Sequence, residues 1–161
     1  MAERWFLKID GIDGESTDVS HKDEIDVESW SWGLNQTGSF GGGGGGGAGK
    51  VSFQDFHFVS RISKASPKLF LACASGSHIK MATLSGVRGA GKVKGNEFLT
   101  FKLRDVLVTS VQQGDSEAAA PVDQFSLNFT KVEFSYIPQS AKGTPEPPVT
   151  GSWDLKQSKK F

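Results

Sequence analysis

Cysteine occurs once in this sequence, methionine twice, and neither sign of charge is in excess. A lone Cys73 excludes an intramolecular disulfide framework and a multi-cysteine metal site. Lys plus Arg and Asp plus Glu are 18 each. That zero balance argues against a nucleic-acid binder or a polybasic membrane binder, both of which need a positive excess. No stretch approaches the roughly 18 apolar residues of a membrane-spanning helix, so membrane insertion is not expected. The N-terminus has no apolar run of signal-peptide length, because Lys8 and Asp10 interrupt it. The expectation is a cytoplasmic product that, if exported, leaves the cell without a cleaved signal peptide. The 161 residues, 37% hydrophobic and 22% charged, fit one domain over 1–161 with a core of its own and exclude wholesale disorder.

What is abundant is glycine, 20 residues, and phenylalanine, 12, a balance that favours strands and turns over helices. Trp5, Leu7 and Ile9 alternate with Phe6 and Lys8, then Asp10-Gly11 and Asp13-Gly14 supply turns. Residues 26–35 alternate again, which puts Glu28, Trp30 and Trp32 on one face and Ser29 and Ser31 on the other. Further strands are expected over 51–60, 79–88, 99–108 and 125–136, and a last one over 152–156 anchored by Trp153. Three of these runs slip phase, from Phe53 to Phe56, from Leu103 to Val106 and from Phe129 to Val132. A slip inside a continuing strand implies a bulge or bend, as barrel closure requires, whereas a slip between strands marks only an end. One helix is expected at about 66–75, with Ser66 as N-cap, Pro67 in the first turn and Gly76 at the C-terminal stop. It would plug or flank a barrel, with Cys73 a packed thiol.

Neutrality in total conceals a split. Residues 1–40 carry nine acids and three bases, a net of −6, and residues 41–161 carry the opposite +6. Such a split suits complementary faces that meet within or between subunits. Two segments are low in complexity: seven glycines at 41–47, inside a loop over 37–50, and a Pro-rich connector over 140–151.

The chemistry-bearing patterns fail one by one. Gly44 to Lys50 satisfies the phosphate-loop spacing, but Val51 stands where Ser or Thr would hold magnesium, and a strand follows instead of a helix. The acidic stretch His21-Lys22-Asp23-Glu24-Ile25-Asp26 has no second His at ligand spacing and reads as a solvated turn or subunit contact. His57 and His78 stand alone, and no Ser–His–Asp signature exists. No catalytic residue, cofactor or metal site is expected. The glycine loop remains. Ordering seven glycines is entropically costly. The loop is therefore either a spacer or a segment that orders when a partner's backbone packs against it.

Several segments together resemble one family. They are His21 to Val27, Trp30-Ser31-Trp32-Gly33, the glycine loop ending Gly47-Ala48-Gly49-Lys50-Val51, Gln54-Asp55, and Ser66-Pro67-Lys68-Leu69 running to Gly76 and His78. Leu127-Asn128-Phe129, Val132 to Pro138 and Gly151-Ser152-Trp153 complete the set. In this order they resemble the Hcp (haemolysin-coregulated protein) family, the tube proteins of bacterial type VI secretion, over about residues 3–157. The resemblance implies a mainly β fold, a two-sheet β-barrel with one short side helix and an extended Gly-rich loop. It also implies a non-enzymatic homohexameric ring, stacked head to tail into a tube that a contractile sheath expels. A VgrG-type spike would cap the tube and effector cargo would ride in its lumen. On that footing Phe40, Gly41, Gly44, Gly47, Ala48, Gly49 and Lys50 form the contact loop to a neighbouring subunit or ring, and Ser29 and Ser31 face the lumen and its cargo. The connector around Pro145-Glu146-Pro147-Pro148 and the Lys159-Lys160-Phe161 tail have no counterpart in that pattern. Rival readings are a phage-like tail-tube protein of another contractile particle, and a monomeric ligand-binding β-barrel.

Overall fold

The computed structural model describes residues 3–38, 50–89 and 96–161. In chain order the elements are β1 (Glu3–Ile9), β2 (Ile25–Ser31), β3 (Leu34–Gln36), β4 (Val51–Phe53), β5 (Phe56–Arg61), α1 (Ser66–Ser75), β6 (His78–Arg88), β7 (Glu97–Ser116), β8 (Ala119–Asn128), β9 (Lys131–Tyr136) and β10 (Val149–Asp154). All pairings are antiparallel. Because β8 pairs with both β5 and β7, the strands β7-β6-β1-β2-β5-β8 close into a six-stranded barrel. β9 and β10 extend the sheet from β7, and β3 with β4 forms a separate hairpin. The expected mainly β barrel with one helix is therefore the fold observed.

The alternating strands bury their aromatic and aliphatic faces inward. Phe56, Phe58, Phe101, Phe125, Leu7, Leu84, Leu103 and Leu127 are fully buried in one cluster. Trp5 and Trp30 meet edge to face at 5.1 Å, and Trp32 stacks on Phe56 at 5.1 Å. Side chains thus fill the space that a ligand-binding barrel would keep open.

The three phase slips have three outcomes. At Asp105, φ 51°, β7 continues through the slip: it keeps its register with β6 while its other neighbour changes from β9 to β8. At Phe129-Thr130 the strand is interrupted, yet β8 and β9 both lie along β7 (Leu107↔Asn128, Arg104↔Lys131). At Gln54-Asp55 the slip is an end, because β4 and β5 belong to different sheets. The segment read as one strand over 26–35 is likewise two, β2 and β3.

A fourth irregularity corrects the reading of β2. A bulge between Val27 and Ser29 shifts the pairing with β5. Val27 is buried, Glu28 and Ser29 are both exposed, and Trp30 turns inward. Glu28 therefore does not share a face with Trp30 and Trp32. A bulge places two residues opposite one, so the side chains after it swap faces.

Ser66 is not the N-cap of α1. That position is Ala65, and the Ser66 hydroxyl instead accepts from Ser63 N–H at 2.9 Å and donates to the buried Asp123 carboxylate. At the other end Gly76 takes φ 64°, and Gly76 N–H and Ser77 N–H close the last turn on Cys73 and Ala72 carbonyls. The helix flanks the barrel, with Leu69 and Ala72 in the core, Cys73 half-buried, and Phe70 and Leu71 exposed.

Candidate assembly surface

The loop at 37–50 is rooted on the β3–β4 hairpin. Leu34 pairs with Phe53 and Gln36 with Val51, and Thr37 closes the base by donating its Oγ1 hydroxyl to the Lys50 carbonyl at 3.0 Å. Lys50 is exposed at this root. Phe40, Gly41, Gly44, Gly47, Ala48 and Gly49 lie outside the described residues.

Next to the root is an apolar groove of about 710 Å³, lined by Trp32, Leu34 and Phe53 on one wall and by Val132, Phe134 and Trp153 on the other. Its origin is topological. β9 and β10 continue the sheet beyond the closed barrel, and among the described residues the groove is completed by the hairpin and Trp32. Phe134 stacks on Phe101 at 4.4 Å, but its cross-strand neighbour is Gly151, which offers no side chain to cover it. Phe134 stays 39% exposed and Leu34 49%. Trp153 Nε1 is buried there and meets no acceptor among the described residues. Beyond β9, the other edge of β10 is met by the C-terminal tail, where Asp154 bridges to Lys159 and the Ser152 hydroxyl donates to the Phe161 carbonyl, while Val149 stays exposed. An apolar surface of this kind is suited to cover by another chain.

The opposite charge lies on a second surface, around β1, β2 and the turn before β2. A cleft of about 610 Å³ there is lined by Glu3, Glu15, Asp18, Asp26, Glu28 and Arg4, with the exposed Val19 at its edge. Burial raises the Asp18 carboxyl, but the Ser20 N–H, the Arg4 hydrogen bond at 2.9 Å and the Arg4 charge outweigh it, so Asp18 lies below its ordinary value. Asp26 lies above its ordinary value, first from desolvation and then from the Asp18 charge, against the pull of Arg4. Five of the nine acids of the first forty residues thus line one cleft, with Arg4 the one base among them.

Ser29 and Ser31 are both exposed on the outer face of β2, beside Val59 and His57 of β5. They share that face with Glu28, which pairs with Arg61 at 3.1 Å, and lie apart from the groove lining. His21, read from sequence as part of a solvated turn, is buried between two carboxylates. Among the described residues no group of three or more His, Cys, Asp or Glu is placed to hold a metal, and no helix is long and apolar enough to cross a membrane.

Residues 6–136 match the family described as "Type VI secretion system effector, Hcp". The chain is 44% identical over 160 residues to Protein hcp1 of Pseudomonas aeruginosa, covering 98% of each. This chain belongs to the Hcp family. Among solved members, Hcp1 from Salmonella typhimurium superposes with a TM-score of 0.81 at 34% identity, covering both chains fully. A structure titled as a type six secretion system protein gives 0.89 at 28% identity, covering 99% of this chain and 100% of the other. A type VI secretion effector from Yersinia pestis gives 0.73 at 34% identity, over 93% and 98%. Hcp membership assigns the chain to the type VI tube and effector component, a structural family, which fits a non-enzymatic protein.

The groove escaped the sequence reading. Its walls come from residues near 34, 53, 132 and 153, and only the topology joins them. The exposed Leu34 and the Phe134–Gly151 pair carry no local motif.

Proposed function

We propose that this protein is a subunit of the type VI inner tube. Six copies form a ring, rings stack head to tail, and a contractile sheath expels the tube with a VgrG-type spike at its tip and effectors in its lumen. Export in this manner needs no cleaved signal peptide. The observation that carries the reading is end-to-end likeness to Hcp proteins combined with the uncovered apolar groove at the root of the Gly-rich loop. A heterologous ring needs two different faces on each copy. The apolar groove supplies one, and the acidic face around Asp18 and Asp26 supplies a second of distinct chemistry.

Residues Phe40 to Lys50 form the contact loop of this assembly. Lys50 stands at its root, and the glycines let a neighbour's backbone approach closely. Ser29 and Ser31, small and outward-facing on a barrel strand, are the lumen-side cargo contacts. Residues 1–161 act as one domain. Negative-stain microscopy of the purified protein tests the reading. Six-membered rings are the expected result, and single 161-residue particles at high protein concentration would overturn it.

A further inference from the structure

The turn between β1 and β2 contains a buried histidine, His21. Residues 13–24 fold back as a strap, held internally by Gly14 N–H to the Asp23 carbonyl (2.8 Å), Asp23 N–H to the Ser16 carbonyl (2.9 Å) and Ser16 N–H to the Glu24 carbonyl (3.0 Å). The strap lies over the outer face of β1. There Phe6, alternating away from Trp5 and Leu7, is 2% exposed although it is outside the main core cluster. Its cover is the imidazole of His21, stacked parallel to the Phe6 ring at 4.7 Å.

Both ring nitrogens of His21 face carboxylates. Nδ1 is 3.0 Å from Glu24 Oε2 on the strap itself, and Nε2 is 3.0 Å from Glu97 Oε1 at the start of β7. An ionised carboxylate only accepts hydrogen bonds, whereas a neutral imidazole has one donor and one lone pair. With all three groups at their lowest protonation, one contact would set a lone pair against a carboxylate oxygen. Both contacts hold only when the cluster carries one further proton, on the ring or on Glu24. We propose that His21 is a proton-operated clasp: the extra proton ties the strap 13–24 to β7, and its loss frees the strap from Glu97.

The surroundings fit such a device. Desolvation holds the Glu24 carboxyl above its ordinary value despite the nearby His21 charge and hydrogen bond, the more distant Lys8 opposing and Glu97 reinforcing the shift. At 3.0 Å the Glu24 carboxyl and the His21 ring stand within hydrogen-bond reach of each other. The other charged groups are Arg4 of β1, whose guanidinium lies 5.6 Å from the Phe6 ring centroid, and Asp18, which pairs with Arg4. Glu97 is the only link of the cluster to a strand other than β1 and β2 among these contacts. Losing it unties the His21 corner of the strap from β7, while Glu15, which accepts from Lys64 N–H at 3.1 Å, and Asp18, paired with Arg4, still hold the rest, so the barrel is not unmade.

The test is amide hydrogen exchange of residues 14–24 in the full-length protein at pH 5.5 and pH 9, on either side of the ordinary imidazole range. Rates are corrected for intrinsic chemistry and referred to β6. The expected result is about tenfold weaker strap protection at pH 9, the size of one charge-assisted hydrogen bond lost, with β6 unchanged. His21→Gln, which has no titrating ring, should show no such difference. Should that variant not fold, Glu97→Gln, on the rim and still an acceptor, should reduce it. Equal strap protection at both pH values in the native protein, or an undiminished pH effect in whichever variant folds, would overturn the proposal.

Discussion

Replacing Gly86 by alanine tests the packing that closes the barrel. Gly86 lies on β6 directly opposite Trp5 of β1. A Cβ there would stand 2.8 Å from Trp5 Cη2 and 2.9 Å from Trp5 Cε3. The indole cannot simply move, because Trp30 stands 5.1 Å away and Phe98 5.7 Å away on its other contacts. Overpacking of this kind costs about 1–3 kcal/mol. Removing a glycine from the unfolded chain gives back about 0.4–1 kcal/mol. The net expectation is a loss of about 1–2 kcal/mol, or a Tm lower by about 3–6 °C for a chain of this size. Gly114, within β7 and with nothing within 4 Å of an added Cβ, is the control, and Gly114→Ala should leave stability unchanged or slightly raised. Urea unfolding followed by tryptophan fluorescence reads both. A Gly86→Ala protein as stable as the native one would refute the claim that Trp5 is fixed across Gly86.

Other expectations concern the helix, the acidic face and the outer wall. Asp123 is fully buried and accepts from Ser66 and, at 2.8 Å, from Gln113. Asp123→Ala strands both partners and should cost about 3 kcal/mol in denaturant unfolding. Asp123→Asn should cost less, because the Ser66 hydroxyl can turn to accept. Asp26 and Asp18 should behave oppositely with pH. The raised Asp26 carboxyl favours the folded state at low pH, an advantage lost as pH rises through its folded value, so Asp26→Asn should raise Tm at pH 7 and have no effect in strong acid. Asp18 is lowered, so its contribution is present above the ordinary carboxylate range and lost in acid; Asp18→Asn should lower Tm at pH 7. Both effects should stay below about 1 kcal/mol, because Asp26 is exposed and the Arg4 partner of Asp18 reaches solvent. Ser31→Trp should weaken effector retention without disrupting rings, and co-purification of cargo at native levels would refute its lumen-side role.

The barrel was legible because its strands alternate. Trp5, Leu7 and Ile9, or Leu99, Phe101 and Leu103, turn every second side chain toward the core cluster, although Phe6 and Phe98 beside them are buried as well. The slip from Leu103 to Val106 likewise fell inside a continuing strand, at Asp105 with its φ of 51°, where the neighbour of β7 changes from β9 to β8. The same logic misread Glu28, since a bulge there leaves the spacing of Glu28, Trp30 and Trp32 looking regular while moving Glu28 to the outside. It also passed over the polar, exposed hairpin where β7 runs into β8, where no buried face imposes a period. Contacts between distant residues were invisible: His21 finds Glu97, and Asp123 finds Ser66, only after the barrel has formed. The assembly surface was half legible. The glycine run and the charge split stood out in the chain, but the groove beside them arises from strands meeting far apart in sequence.

The most direct test of the central claim is the mass of the purified protein by light scattering coupled to size exclusion. The account predicts a particle of six chains, with Leu34→Ser and Phe134→Ser weakening it in proportion to the apolar surface each removes. A single-chain mass across the whole accessible concentration range would contradict it.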